Sequence, residues 1–425
     1  MKSGVRTGLP LLRDPTLNLW HFFLLEKGRT PPPGPPSLGE AARGFLEEAA
    51  AWAGEEAALG LSPPSPSSWM SQRLAGRGWT RVEGELRAYE ARLYLDTLYV
   101  VLQRAREGEA APGDLSSLLA SLPSPTPDPG YLGRALCLVA ELESPVPEET
   151  LRALAREVLK GTGGFPGPQD PQAIPLPFGH LFPLPGEGDG PGPAFLLLLH
   201  NPSAEASSFV NLELPRLLHH HLKVLDYRKR YESFRKNLGK EERQVEDHIE
   251  EAQRALREDS RLFSRLHRLE DLDAQISQDQ MRLISRIAQL EEARITLGVA
   301  LDNLKALLEG PTWAEGRDRA REFFLARGEV LLRQMEVDLR YARATEEKAR
   351  VVLGTLDLWA QLLRARLERY LTFFVSLLAL TGLAQPFPEI GHWPLWLRSG
   401  ILVLAVGLVL GLVLGRGFTS RWKRR

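Results

Sequence analysis

The stretch Ile276–Leu308, ISQDQMRLISRIAQLEEARITLGVALDNLKALL, decides the fold of a large part of this chain. A repeat of about 3.5 residues is typical of coiled coils and long helical bundles. No proline occurs between positions 240 and 308, and the pattern already begins near Val245. We therefore predict a long helix, whose apolar residues follow steps of three, four and seven at Ile276, Leu283, Ile287, Leu290, Leu297, Leu301, Leu304 and Leu308.

A glycine and a proline, Gly310–Pro311, end this helix, and a second apolar repeat begins near Trp313. The second repeat continues without a proline until Pro386. Two long helices joined by a tight break predict an antiparallel coiled-coil hairpin. We assign residues 201–369 to this helical stalk.

Residues 1–200 are interrupted by proline- and glycine-rich clusters at positions 30–36, 62–68, 123–130 and 161–192. Such clusters end regular elements because proline fixes φ and removes a backbone donor. The segments between them predict a small, mostly helical N-terminal cytoplasmic domain with little sheet. Its expected elements are a strand at Phe195–His200 and helices at Leu38–Trp52, Val82–Glu107, Leu132–Glu143 and Glu148–Leu159.

The C-terminal part is the most apolar region, with uncharged or nearly uncharged segments at Leu371–Ala384 and Trp393–Gly415. A membrane span needs about 20 apolar residues, so the pair predicts a two-helix transmembrane hairpin over residues 370–415. The alternative is a buried core helix or a re-entrant segment. The predicted fold class is therefore mainly α: a helical N-terminal domain, a long hairpin and a transmembrane hairpin.

Basic residues flank both apolar segments, and the loop at 385–397 carries no Lys or Arg. The positive-inside rule then predicts an inner-membrane protein with both termini cytoplasmic, including the basic tail at 416–425. Closely spaced glycines on the second segment predict tight helix packing, although glycine is also common in membrane helices. These candidate packing residues are Gly400, Gly407, Gly411 and Gly415.

Composition and missing motifs argue against several classes of function. Among 425 residues, 53 basic and 54 acidic side chains give a net charge of −1, which disfavours a nucleic-acid partner. The single cysteine, Cys137, can form neither an internal disulfide nor a cysteine-based zinc site. The sequence has no Walker loop, no GxGxxG after a strand, no HExxH and no GxSxG. We predict a protein that is not an enzyme and has no bound cofactor.

Two polar patterns remain. Three consecutive histidines, His219–His221, point about 100° apart on a helix and cannot all bind one ion, so a structural or solvated role is favoured over a shared metal or pH-sensing site. Paired carboxylates on the stalk predict solvated helix faces, with cation binding between subunits as the alternative. These pairs are Glu241–Glu242, Glu246–Asp247, Glu250–Glu251 and Glu291–Glu292.

The C-terminal part, roughly Thr312–Arg425, resembles the CorA family of divalent-cation channels. The residues that carry the resemblance are Leu371–Thr372, Gly382, Pro388–Glu389–Ile390 and Arg421–Trp422–Lys423. The resemblance implies a homopentamer whose first membrane helix lines a pore for Mg²⁺ or another divalent cation, with metal sites between subunits that close the gate. The family's Gly-Met-Asn signature is absent, because Leu383–Ala384–Gln385 follows Gly382. The candidate pore-lining residues are Thr372, Ser376, Gln385 and Glu389.

The residues thus support two main hypotheses. The first is an oligomeric CorA-like membrane protein that conducts divalent metal ions and is gated by its helical stalk. The alternative is a membrane-anchored coiled-coil scaffold or interaction protein without transport activity. A third is a stress or defence effector that perturbs the membrane. The first two hypotheses share two expected partners, the lipid bilayer and other copies of the chain.

Overall fold

The computed structural model describes residues 12–24, 40–54, 72–75, 79–82, 85–94, 97–111, 118, 122–123, 125, 131–143, 146–161, 172–184, 193–258 and 262–383. The chain divides into two compact units. Unit 1 comprises residues 1–230 and 295–333, and unit 2 comprises residues 231–294 and 334–425. Each unit is described by itself.

Unit 1 contains a ten-stranded mixed sheet with the strand order β2-β4-β5-β1-β7-β10-β9-β8; β3 pairs with β4, and β6 pairs with β1. Strands β7 and β10 run parallel, and the other described pairs are antiparallel. The strands are β1 Leu12–Leu24, β2 Gln72–Ala75, β3 Thr80–Val82, β4 Glu85–Tyr94, β5 Thr97–Ala105, β6 Glu109–Ala110, β7 Tyr131–Leu142, β8 Ile174–Leu176, β9 Gly179–Leu184 and β10 Ala194–Leu199.

The central strands are covered on both faces, which explains their nearly continuous apolar sequences. Every residue of β10 is buried, as are the first six residues of β5. One face of the sheet packs against two helices, α1 (Glu40–Trp52) and α2 (Glu148–Gly161). Phe45 of α1 packs near Phe23, and Leu154 of α2 belongs to the cluster that includes Leu196.

The other face of the sheet packs against long helices. Helix α3 (Ala204–Ser208) continues through a π-helical turn (Phe209–Glu213) into α4 (Leu214–Arg257). A 3₁₀ turn (Pro311–Trp313) separates α5 (Leu262–Leu308) from α6 (Arg317–Leu383). Aromatic rings fill this layer: Phe195 of β10 stacks on Phe324 of α6 with centroids 5.9 Å apart, and Phe209 lies 5.4 Å from Trp313.

Unit 2 consists, in its described part, of segments of α4, α5 and α6. Within this unit α5 is antiparallel to α4, since His248 contacts Asp279 and Arg268 contacts Glu251. Helix α6 is likewise antiparallel to α5. Arg343 of α6 pairs with Glu291, and Arg364, further along α6, pairs with Glu270, which is nearer the start of α5. The core consists of buried apolar residues in heptad-like spacing. Its members are Leu238, Val245, Ile249 and Ala252 of α4, Leu272, Ile276, Leu283 and Leu290 of α5, and Met335, Leu339, Ala342, Ala349, Leu356 and Leu363 of α6.

The predicted helical N-terminal domain is wrong. The helices expected at Val82–Glu107 and Leu132–Glu143 are strands β4, β5 and β7. Both segments are rich in residues that also suit helices, but each strand pairs with neighbours on both sides. Pairing across the sheet overrides local helix propensity. The helices expected at Leu38–Trp52 and Glu148–Leu159, and the strand at Phe195–His200, are present.

The stalk also differs from the expectation. Three long helices replace the two that were predicted, because the chain between 240 and 308 is divided between α4 and α5. The break at Gly310–Pro311 is present as the 3₁₀ turn.

The predicted transmembrane hairpin is not supported either, and the fold class is corrected accordingly. No helix in the described part of the chain is long and apolar enough to span a membrane. The uncharged end of α6 begins only at Leu371 and the helix is described to Leu383, whereas a span requires about 20 apolar residues. The second predicted segment, Trp393–Gly415, lies outside the described residues.

Candidate self-association surface

Helix α6 has two apolar faces within unit 2. The first is buried in the helical bundle, with residues spaced by seven at Met335, Ala342, Ala349, Leu356 and Leu363. This spacing keeps the same side of a helix toward its neighbours over many turns. The buried face therefore accounts for the packing of α6 inside unit 2.

The second apolar face is exposed. Its large members are Val337, Tyr341, Val351, Leu358 and Leu362, whose exposed fractions are 41%, 68%, 62%, 62% and 55%. Val337, Val351 and Leu358 share the seven-residue repeat, and Tyr341 and Leu362 each stand four residues after a member of that repeat. We call this set, together with the exposed Ala344 and Ala365, the α6 stripe.

Several exposed large apolar residues along one side of a helix are uncommon on a monomer and mark an interaction surface. The α6 stripe continues the heptad period along one side of the helix, which is the pattern that a second helix recognises. Near its C-terminal end, Leu371, Phe373 and Val375 are also more than half exposed. The surface thus has the chemistry of an unoccupied coiled-coil seam.

Charged side chains flank and interrupt the stripe. Glu347 and Lys348 are adjacent and largely exposed, and Glu368–Arg369 repeats the pair three heptads further on. Lys348 Nζ lies 3.6 Å from a carboxylate oxygen of Glu246 in the same unit. Exposed pairs at this distance contribute about 0–1 kcal/mol, so these charges can change partners at little cost.

Two of the predicted pore-lining residues, Thr372 and Ser376, lie on exposed positions of α6. The Ser376 hydroxyl donates a hydrogen bond to the carbonyl oxygen of Thr372 at 2.8 Å, a contact that serine commonly makes with its own helix. The other two, Gln385 and Glu389, lie outside the described residues, as do Gly400, Gly407, Gly411 and Gly415. Cation transport and the resemblance to CorA channels therefore stay predictions.

The three consecutive histidines lie in the core of unit 1. His219, His220 and His221 are 0%, 3% and 4% exposed. His219 Nε2 forms a hydrogen bond with the Thr97 hydroxyl at 2.9 Å, and the His221 ring packs against Phe324. Burial lowers the pKa of His221 to about 4. These residues pack α4 against the sheet and are not solvated.

The paired carboxylates of the stalk form salt bridges between helices. Glu241 pairs with Arg286 at 3.1 Å, and Glu291 pairs with Arg343. Burial, with the charges of Asp338 and Glu246, raises the pKa of Glu242. No group of three or more His, Cys, Asp or Glu residues that could hold a metal ion occurs in the described ranges. Cation binding between subunits stays an untested alternative for these residues.

Sequence reasoning missed one polar cavity in unit 1. It has a volume of about 560 Å³ and lies where β9, the start of α2 and the start of α6 meet. His180 Nδ1 lies 2.8 Å from His200 Nε2, and burial lowers the pKa of both imidazoles. Arg319 donates to the Ala173 carbonyl at 2.6 Å and lies 3.6 Å from Glu148.

Of the charged residues that line this cavity, Arg319 and Glu148 pair with each other. The two histidines are 20 residues apart in sequence. Only the antiparallel pairing of β9 with β10 brings them together, so no local spacing could have indicated them. The arrangement provides a hydrogen-bonded imidazole pair, but the described residues around it supply no nucleophile with its base and no third metal ligand. The α6 stripe is the stronger candidate for function.

Comparison with protein-family models, with curated proteins and with solved structures finds no match.

Proposed function

We propose that this chain is a self-associating helical scaffold. The α6 stripe joins copies of the chain, and the resulting assembly contains one unit 1 from each copy. The observation that carries the proposal is the second, exposed heptad repeat on α6, which has no partner among the described residues. A heptad stripe that a monomer leaves in water is stabilised when another helix covers it.

The extent of the stripe supports this proposal. Val337 to Arg369 covers nearly five heptads. The position after each d residue is at least partly buried in unit 2 at Asp338, Thr345, Val352 and Trp359, so three facing positions per heptad give about 15 residues on each copy. A stable protein interface uses about 20–30 residues and about 800 Å² per partner. The stripe is therefore at the small end of protein interfaces, which fits a self-association that depends on concentration.

The energetic contribution of single residues can be bounded. Full burial of a Val or Leu side chain is worth about 1.5–3 kcal/mol. Val351 and Leu358 are both 62% exposed, so covering each would contribute about 1–2 kcal/mol per copy. Replacing both with Asp also places charges in the seam, so the combined change should weaken association at least tenfold.

Sedimentation equilibrium of the full chain at several concentrations tests the proposal. We expect an oligomer for the unaltered chain and a shift toward monomer for Val351→Asp with Leu358→Asp. The matched control is Ser233→Asp with Gln253→Asp, which adds the same charge at exposed polar positions of α4. Helix content by circular dichroism should be the same in all three proteins.

Two outcomes would contradict the proposal. One is a wild-type chain that stays monomeric at tens of micromolar. The other is a double Asp variant that self-associates as tightly as the control. Either result would show that the stripe does not join copies of the chain.

A further inference from the structure

The two heptad positions of the α6 seam differ in polarity, and this difference favours one relative orientation of two α6 helices. We infer that α6 pairs in parallel and in register with α6 of a second copy, with Glu347–Lys348 and Glu368–Arg369 fixing the register. This inference rests on the proposed self-association and adds its geometry. Its first support is the division of the stripe into two classes of heptad position.

The first class, called d, is apolar throughout: Val337, Ala344, Val351, Leu358 and Ala365. The second class, called a, stands four residues after each d residue and is mixed. Tyr341 and Leu362 belong to the stripe, and the polar residues Lys348, Thr355 and Arg369 interrupt it. In a parallel pair, d faces d, so the apolar d residues stack on each other. Because a also faces a, Lys348 and Arg369 each lie beside the same residue of the second copy, and acidic neighbours must compensate their charge. Antiparallel pairing would place a residues against d residues, and Lys348 and Arg369 would then be desolvated against apolar side chains.

The charges that precede each basic a residue give the second support. In a parallel seam, an a side chain packs beside the residue that precedes the equivalent a position of the partner helix. Lys348 would therefore meet Glu347 of the second copy, and Arg369 would meet Glu368 of the second copy. A lysine at an a position is a known determinant of register and oligomer state.

The bundle leaves the required side of α6 open. Thr345, which follows Ala344 on the far side of the seam, is 6% exposed and is covered within unit 2. Glu347 and Lys348 keep side-chain exposures of 60% and 63%. A second helix can thus reach the d and a residues from the side that carries the glutamates.

Disulfide trapping of the full chain tests the arrangement, because Cys137 is its single cysteine and is fully buried. Ala344→Cys and Ala365→Cys, made separately, should each give a covalent dimer under mild oxidation. The control is Asp357→Cys, at an exposed position of α6 beside the stripe, which should give a much smaller covalent fraction. Crosslinking at both seam positions excludes an antiparallel pair, which can bring at most one of them together.

Exchanging the charges of Glu347 and Lys348 tests the proposed register. Lys348→Glu should weaken association about tenfold, because it places two carboxylates together. Adding Glu347→Lys to that variant should restore most of the lost association.

Two results would overturn the parallel register and leave the proposed function standing. One is an oligomer in sedimentation that fails to crosslink at Ala344→Cys and Ala365→Cys. The other is a charge exchange that does not restore association. A monomeric chain overturns both.

Discussion

His21 should make the stability of unit 1 depend on pH in a way that one substitution removes. Its side chain is 0% exposed on β1, its Nδ1 lies 2.9 Å from the Tyr131 hydroxyl, and its ring packs 4.5 Å from Phe45. Burial, and secondarily the charge of Arg134, lowers the pKa of His21 from 6.5 to about 3. The folded protein therefore keeps this imidazole neutral in mildly acidic solution.

The sign and size of the effect follow from proton linkage. Between pH 6.5 and 3 the unfolded chain binds a proton at His21 that the folded chain does not bind. Stability therefore falls by about 1.4 kcal/mol for each pH unit below about 6.5. From about pH 7 to pH 5 the loss from His21 is about 2 kcal/mol. His221, whose pKa is lowered to about 4, should add a similar loss over the same interval.

The perturbation is His21→Gln, which retains a side-chain amide for the Tyr131 hydroxyl but does not titrate. Urea unfolding at pH 7 and pH 5 can be followed by tryptophan fluorescence, because Trp20 and Trp313 are each 1% exposed in unit 1. We expect the free energy of unfolding of this variant to fall by about 2 kcal/mol less than that of wild type between the two pH values.

The matched control is His267→Gln, whose side chain is 79% exposed in unit 2. It should lose as much stability as wild type on acidification. If His21→Gln shows the same pH dependence as wild type, the assignment of a buried neutral imidazole on β1 is refuted.

Three substitutions probe packing and can be compared by urea unfolding. Gly316→Ala would place a Cβ atom 2.5 Å from the Pro175 carbonyl oxygen and should destabilise unit 1 by about 1–3 kcal/mol. Gly239→Ala, in the middle of α4 with nothing within 4 Å, should stabilise by about 0.5–1 kcal/mol, and a loss there would contradict the open site. Phe324→Ala removes the buried ring that stacks on Phe195 and should cost about 3–5 kcal/mol; a cost below about 1 kcal/mol would be inconsistent with this packing.

The N-terminal region shows where local sequence misleads. Segment 97–105, TLYVVLQRA, is buried along its first six residues, so it lacks the alternation that identifies a half-exposed strand. Segment 131–142 is rich in Leu and Ala, yet it pairs with β1 on one side and β10 on the other. Hydrogen bonds between distant segments decided both assignments.

The candidate surface shows a related limit. The heptad period of α6 can be seen in its sequence, and so can the alternation of apolar and polar positions. The sequence does not tell which of two apolar rows a bundle covers, because Leu356 and Leu358 are equally apolar. Leu356 is 1% exposed, whereas Leu358 is 62% exposed.

The amino-acid order alone determined that the second half of the chain forms long helices and that Gly310–Pro311 interrupts them, since helical periodicity and chain-breaking residues act over a few neighbouring positions. It did not show the division between α4 and α5. Tertiary structure alone decided that the N-terminal region forms a sheet, that His180 meets His200, and that one row of α6 stays in water. Each of these depends on contacts between residues far apart in the chain, for which local propensity carries no information.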